Sequence, residues 1–153
     1  MNLRPLYIFD LDGTLALIEH RRHYVECPRE QQDWKAFYAA CAEDLPNLPV
    51  IETLRALADA GADVWVFSGR SDEVREQTHD WLCKHVLFLF EQHVMMRPAG
   101  DFTPDDRLKL RWLNEMLPAD RERLVAVFED RDRMVKMWRA QGIACFQVAP
   151  GDF

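Results

Sequence analysis

Hydrophobic residues along the chain follow two patterns: short unbroken apolar runs, and longer stretches in which they recur at helical spacing. Unbroken runs of this kind are typical of strands covered on both faces. They predict strands at residues 6–9, 64–67, 124–128 and 143–148, and a further strand within residues 94–97.

The longer stretches predict helices between these strands. Trp34, Phe37, Tyr38 and Cys41 share one helical face, which we interpret as core packing rather than as a platform for stacking bases. Further helices are predicted from Pro49 to a cap at Gly61, after Ser71, after a Thr103 cap with Pro104 as first helical residue, and from Met134 to Gly142. Residues 86–90 fit either the end of a helix or a loop.

Strands that alternate with helices predict an α/β fold with a parallel sheet. Right-handed crossovers then give a Rossmann-like three-layer α/β/α sandwich with a central parallel sheet. The length of 153 residues suits a single domain, 1–153. Residues 17–48 form a small helical insert after the first strand, too short to be an independent domain.

Composition narrows the function classes. A net charge of −7 argues against a module held to nucleic acid by a broad basic surface. The four cysteines show no C-x-x-C pair, so we expect free thiols in a reducing compartment. The segment from Met1 to Pro5 lacks a signal-peptide pattern and no apolar run approaches a membrane span. We therefore expect a cytoplasmic protein without a membrane partner.

Polar side chains follow the ends of three predicted strands. They are Asp10-Leu11-Asp12-Gly13-Thr14, Ser68-Gly69-Arg70 and Glu129-Asp130. Because the carboxyl ends of parallel strands share one edge of the sheet, these groups can converge there. Asp10 and Asp12 beside a buried strand predict a divalent cation or a shared proton, although a polar turn alone would also place acids there. Gly13 lets the chain turn and Thr14 offers a hydroxyl.

The available nucleophile is a carboxylate, since the chain has no Ser-His-Asp order, no Cys-His signature and no glycine-rich phosphate loop. That points to an acyl-phosphate formed on an aspartate. A positive partner is expected from Lys109 rather than from Lys84, which ends an amphipathic helix where a solvated lysine is the rule. We expect Asp105 and Asp106 to orient Lys109 from the preceding helical turn.

These motifs, in this order on alternating strands, resemble those of the haloacid-dehalogenase-like (HAD) phosphatases. The chain is most similar to the 3′-phosphatase domain of phage polynucleotide kinase-phosphatases. That likeness is carried by residues 8–16, Asp105-Asp106 before Lys109, Met137-Trp138-Arg139 and the tail from Gln147 to Phe153. Nothing matches the G-x-x-x-x-G-K-[ST] loop of the kinase half.

The resemblance implies roles for the site residues. Asp10 would attack phosphorus, Asp12 would act as acid and then as base, Ser68 would bind a phosphoryl oxygen, and Lys109 would neutralise charge. Mg²⁺ would be held by the Asp10 side chain, the Asp12 backbone carbonyl and Asp130. The phage phosphatases commonly carry an aspartate where this chain has Glu129, so the role of Glu129 as an outer ligand stays open.

The substrate end of the site is expected to include Arg21 and Arg70, which align with arginines of the phage domain, together with Thr14 and Gly69. A guanidinium suits a terminal phosphate or the flanking diester. The resemblance implies a DNA or RNA 3′-phosphate as substrate and a separate kinase or ligase as partner; the alternative is a small nucleotide or sugar phosphate. Two other functional classes compete with a phosphatase: a phospho-accepting signalling domain, and a nucleic-acid-binding module without catalytic activity.

Overall fold

The computed structural model describes residues 3–152, and its centre is a five-stranded parallel sheet. Its strands are β1 (Leu6–Phe9), β4 (Asp63–Ser71), β5 (Val94–Arg97), β6 (Leu124–Glu129) and β7 (Cys145–Gln147), while β2 (Ala16–Leu17) and β3 (Leu45–Pro46) form a separate pair. The order across the sheet is β5-β4-β1-β6-β7, and every neighbouring pair is parallel. The predicted central parallel sheet is therefore confirmed.

Helices cover both faces of this sheet and complete the three layers. They are α1 (Trp34–Ala39), α2 (Leu48–Asp59), α3 (Arg75–His85), α4 (Asp105–Glu115), α5 (Pro118–Glu122) and α6 (Asp132–Ala140). Phe9 packs in one buried cluster with residues of α2 and α3, whereas Ile8 packs in another with residues of α4 and α6. Successive β1 side chains thus enter opposite cores, which explains the unbroken apolar run.

Met1, Asn2 and Phe153 lie outside the described residues. The segment from Met1 to Pro5, predicted to lack a signal peptide, therefore lies partly outside the described residues. So does the phage-like tail, whose last residue is Phe153. Between residues 3 and 152, no helix combines the length and the apolar character needed to cross a bilayer.

Strand β4 is longer than the apolar run predicted. It continues from Asp63 through Ser71, and its pairing with β5 shifts register between Ser68 and Ser71. Ser68 and Arg70 are both buried within this strand, because the Ser68 hydroxyl and the terminal nitrogens of Arg70 find hydrogen-bond partners inside the protein. The prediction that the strand ends at residue 67 was wrong for that reason.

The insert after β1 is closed at its base by a two-stranded antiparallel sheet of β2 and β3 that the sequence pattern did not predict. Between them lie α1 and short 3₁₀ turns. Phe37 and Cys41 are buried as predicted, but Trp34 is 49% exposed. The core interpretation was wrong for Trp34, which starts α1 at the edge of the molecule.

Helix boundaries differ at two other places. Helix α4 begins at Asp105, and the Thr103 hydroxyl donates to Asp101 (2.6 Å) instead of capping the helix. Ser71 accepts a hydrogen bond from the Glu73 amide, but a 3₁₀ turn precedes α3 there. The residues left open at 86–90 form a loop.

Candidate active site

The carboxyl ends of β4, β1 and β6 lie side by side, because β1 occupies the middle of the sheet. Asp10 directly follows β1, Ser68 lies near the end of β4, and Glu129 ends β6 with Asp130 next. The strand order thus brings the three predicted polar groups to one edge.

Three buried carboxylates form an acidic cluster at this edge. Asp10, Glu129 and Asp130 each offer an oxygen within 4.8 Å of the others. Thr14 is fully buried behind them, and its hydroxyl lies 3.3 Å from Asp10 Oδ2 and 3.5 Å from Asp130 Oδ1. Gly13 has φ +83°, and a Cβ there would collide with the Asp130 carboxylate. The turn after β1 therefore admits only glycine without displacing an acid.

Lys109 enters the acidic cluster from α4. Its Nζ donates to Asp10 Oδ1 (2.5 Å) and to Glu129 Oε2 (2.9 Å), and the residue is 2% exposed. Burial would lower the pKa of Lys109, but Asp10 and Glu129 outweigh burial and raise it, so the amine is charged. Burial and the charge of Asp10 raise the pKa of Glu129 well above its ordinary value and that of Asp130 to about 7.

The predicted orientation of Lys109 by its helical neighbours was wrong. Asp105 pairs with Arg97 and with Arg131 (2.7 Å), and Asp106 pairs with Arg133 (2.9 Å). Lys109 is oriented across the sheet edge by the acidic cluster.

Asp12 is not part of the acidic cluster and instead contacts an arginine pair formed by Arg21 and Arg70. Arg21 donates to Asp12 Oδ1 (2.7 Å), Arg70 donates to the same oxygen, and both arginines are almost fully buried. Burial would raise the pKa of Asp12, but the charges of Arg70 and Arg21 outweigh it and lower that pKa. In this arrangement Asp12 is ionised.

Asp44 holds the arginine pair from behind and was missed by sequence reasoning. Arg21 grips it with Nε to Oδ1 and Nη2 to Oδ2, both at 2.7 Å, and Arg70 donates to Oδ2 at 3.0 Å. His20 Nε2 also contacts Asp44 Oδ1 at 2.8 Å. No local motif marks the segment that contains Asp44.

Gly69 contributes its backbone to the site. Its carbonyl accepts hydrogen bonds from Arg97 Nε (2.9 Å) and from the Tyr38 hydroxyl (3.5 Å), and a Cβ there would lie 2.7 Å from Asp105 Oδ1. Burial raises the pKa of Tyr38 to about 12, so the phenol keeps its proton. The Ser68 hydroxyl oxygen accepts the Arg70 amide at 3.1 Å.

Several residues predicted to bind substrate contact other site residues. Thr14 touches the acids, and Arg21 and Arg70 touch Asp12 and Asp44. The structure therefore makes them supports of the two catalytic aspartates predicted from the sequence. Their direct contact with substrate stays a prediction.

The acidic cluster has the chemistry of a magnesium site. Its donors are carboxylate oxygens alone, with the Thr14 hydroxyl beside them, and hard oxygen donors suit Mg²⁺. Three buried acids face one lysine at this point, so a further positive charge fits. Glu129 belongs to this cluster, although one of its oxygens is held by Lys109. Coordination of Mg²⁺ by the Asp12 backbone carbonyl stays a prediction.

The chain matches known proteins over nearly its whole length. The family model HAD_PNKP, the polynucleotide kinase PNKP phosphatase domain, matches residues 4–153. A protein of Autographa californica nuclear polyhedrosis virus named as a bifunctional polynucleotide kinase/RNA ligase is 33% identical over 131 residues, which is 85% of this chain and 17% of that protein.

Solved structures agree with this family. A chain of the Pnkp1/Rnl/Hen1 RNA repair complex matches with a TM-score of 0.77 and 30% identity, covering 98% of this chain and 44% of that one. The class C acid phosphatase from Bacillus anthracis shares the fold, with a TM-score of 0.67 and 16% identity over 97% of this chain and 67% of that one. This chain thus spans less than half the length of the viral protein and of the chain from the RNA repair complex.

Proposed function

The chain belongs to the family of polynucleotide kinase PNKP phosphatase domains, and on that premise we propose that it removes 3′-phosphates from polynucleotide ends through an aspartyl-phosphate, with Mg²⁺ bound. It is a phosphomonoester hydrolase of the HAD fold. The observation that carries the proposal is the buried contact of Lys109 with Asp10 beside Asp130.

Asp10 is the proposed nucleophile. Lys109 donates to Asp10 Oδ1 at 2.5 Å, which leaves Oδ2 to attack phosphorus. The new P–O bond forms as the bond to the 3′-oxygen breaks, and Asp12 gives that oxygen its proton. Water then attacks the phosphorus, Asp12 takes a proton from it, and inorganic phosphate leaves Asp10.

Asp12 must carry a proton in the first step, whereas the arginine pair favours its ionised form. Binding of the phosphorylated strand end allows Asp12 to become protonated, because the phosphate oxygens compete with Asp12 for the guanidiniums of Arg21 and Arg70. The pKa of Asp12 then rises under the influence of burial. Asp44 keeps the arginine pair in place meanwhile.

Mg²⁺ would be held by Asp10, Asp130 and the Asp12 carbonyl, with Glu129 at its outer side. When bound, the ion supplies positive charge to the phosphoryl oxygens. Ser68 would hydrogen-bond another of these oxygens, and Lys109 would spread its charge between the nucleophile and the phosphoryl group.

A polynucleotide 3′ end is the proposed substrate because the matching family is a polynucleotide kinase phosphatase domain. The alternative, a small nucleotide or sugar phosphate, draws support from the acidic net charge of −7. The relatives that carry kinase or ligase names support a further proposal, that this phosphatase acts together with a kinase or a ligase.

The test is Asp10→Asn, assayed with Mg²⁺ on 3′-phosphorylated strands, 5′-phosphorylated strands and mononucleotides. We expect wild type to release phosphate preferentially from the 3′-phosphorylated strand and Asp10→Asn to lose turnover while remaining folded. Asp132→Asn is the control, since Asp132 is an acid in the first turn of α6, bonded to Gln147; its rate should equal that of wild type. Unchanged turnover in Asp10→Asn would remove Asp10 as nucleophile, and preference for mononucleotides would favour the alternative substrate.

A further inference from the structure

Two exposed aromatic side chains lie on segments that contact the backbone of the site strand β4. Phe102, in the loop of residues 98–104 between β5 and α4, is 93% exposed, and Trp34 at the start of α1 is 49% exposed. Both segments are tied to one backbone atom, the Gly69 carbonyl oxygen, which lies between Ser68 and Arg70. The segments that carry the two rings are therefore anchored at the same point of β4, between two residues of the site.

The loop that carries Phe102 is held on both sides of this residue. Arg97 Nη1 donates to the Asp101 carbonyl (3.0 Å) and to the Thr103 carbonyl (2.6 Å), while its Nε donates to Gly69. The Asp101 carboxylate accepts from the Thr103 amide (2.9 Å) and hydroxyl (2.6 Å). The backbone at Phe102 is thus fixed by hydrogen bonds, and the ring extends into solvent from a rigid support.

Trp34 is linked to the same point of β4 through the insert. Its ring centroid lies 5.9 Å from that of Tyr38, whose hydroxyl donates to Gly69, and 5.6 Å from that of Phe37. Phe37 in turn packs against the Arg21 guanidinium, 4.3 Å from the ring centroid. A continuous aromatic group thus runs from the arginine pair to the exposed face of Trp34.

A strand whose terminal phosphate lies at Asp10 has to be held by other contacts as well. The net charge of −7 gives the chain little overall attraction for a phosphodiester backbone. Aromatic side chains bind nucleobases of any identity by stacking on their faces. We propose that Phe102 and Trp34 stack on the nucleobases at the 3′ end of the substrate and select polynucleotides over base-free phosphomonoesters, an inference that rests on the proposed function.

Another exposed aromatic residue, Phe90, provides a matched control. Phe90, 58% exposed, lies in the loop that leads into the amino end of β5. That end of a parallel strand is at the edge of the sheet opposite to the site. Phe90→Ala therefore measures the effect of removing an exposed aromatic ring that lies far from the proposed substrate site.

The experiment measures phosphate release by wild type, Phe102→Ala, Trp34→Ala and Phe90→Ala. The substrates are a 3′-phosphorylated oligonucleotide and the same oligonucleotide with abasic residues at its last positions. We expect Phe102→Ala and Trp34→Ala each to lower kcat/KM on the normal strand by about tenfold. On the abasic strand both variants should match wild type, Phe90→Ala should match it on both strands, and Phe102→Tyr should restore the normal rate.

Four results would overturn the proposal: equal rates of the alanine variants and wild type on the normal strand, an equal loss on both strands, an equal loss in Phe90→Ala, or no rescue in Phe102→Tyr. Failure of the proposed function looks different, because wild type itself would then release no phosphate from either strand. That result would also remove the basis of this inference.

Discussion

Lys109 is the only side chain among the described contacts that places a positive charge inside the acidic cluster. It shares that charge between Asp10 and Glu129, at 2.5 and 2.9 Å. Removing one partner of a buried ion pair leaves the other charge uncompensated, which costs about 3–5 kcal/mol. The same residue therefore supports both the fold and the proposed chemistry.

We predict that Lys109→Met lowers turnover by at least about 100-fold, because the phosphoryl charge loses its fixed counter-charge. The variant should also lose roughly 3 kcal/mol of unfolding free energy. Adding Glu129→Gln should recover part of that stability, since one excess acid is removed, but none of the activity. Denaturant titration and phosphate-release rates measure the two effects.

Lys84→Met is the control for this prediction, because Lys84 is exposed at the end of α3. Neither its stability nor its turnover should change measurably. Loss of activity in Lys84→Met equal to that in Lys109→Met would contradict the assignment of Lys109.

At the scale of single elements, the turn after β1 determines where Asp130 can lie. Gly13 and Gly61 both have positive φ, +83° and +93°. A Cβ on Gly13 would collide with the Asp130 carboxylate, whereas nothing lies within 4 Å of a Cβ on Gly61. A comparison of substitutions at these two glycines therefore separates the effect of backbone strain from the effect of displacing the Asp130 carboxylate.

We predict that Gly61→Ala loses about 1–3 kcal/mol of stability through strain alone and keeps its turnover. Gly13→Ala should carry the same strain and also lose activity by about 100-fold, since misplacing a site group by about 1 Å has that effect. Unfolding curves and Mg²⁺-dependent phosphate release measure both variants. Equal turnover of the two variants would show that Gly13 has no role beyond its backbone angle.

The elements that carry the site could largely be predicted from the sequence, because each apolar run stops close to the polar residues that it supports. Asp10 and Glu129 were found in this way. Asp44 could not be found, since its arginine partners lie 23 and 26 residues away in the sequence and no periodic pattern links them. The contact of Tyr38 with Gly69, 31 residues apart, escaped prediction for the same reason.

At the scale of the whole molecule, alternation of strands and helices predicted the layers but left the order of the strands open. The local hydrophobic pattern predicts that a strand is buried, but it does not predict which strands pair with it. The order places β1 between β4 and β6 and so concentrates acids at one edge. The stability of the protein should consequently depend on pH and on Mg²⁺ together.

Asp130 makes that dependence testable. Burial and the charge of Asp10 raise its pKa from 3.8 to about 7, so the metal-free folded protein binds this proton more tightly than the unfolded chain does. The resulting stabilisation is present at low pH and is lost as pH rises towards and through about 7. Mg²⁺ needs the ionised carboxylate and should stabilise more as pH rises through the same range.

We therefore predict that metal-free wild type loses melting temperature relative to Asp130→Asn as pH rises from about 5 to about 8, a comparison that cancels the groups both proteins share. Added Mg²⁺ should raise the melting temperature of wild type most at the upper end of this range and hardly that of Asp130→Asn, which lacks the carboxylate. Thermal unfolding with a chelator or with Mg²⁺ measures both. Parallel curves for the two proteins without metal would refute the raised pKa, and an equal Mg²⁺ effect on both would refute Asp130 as a ligand.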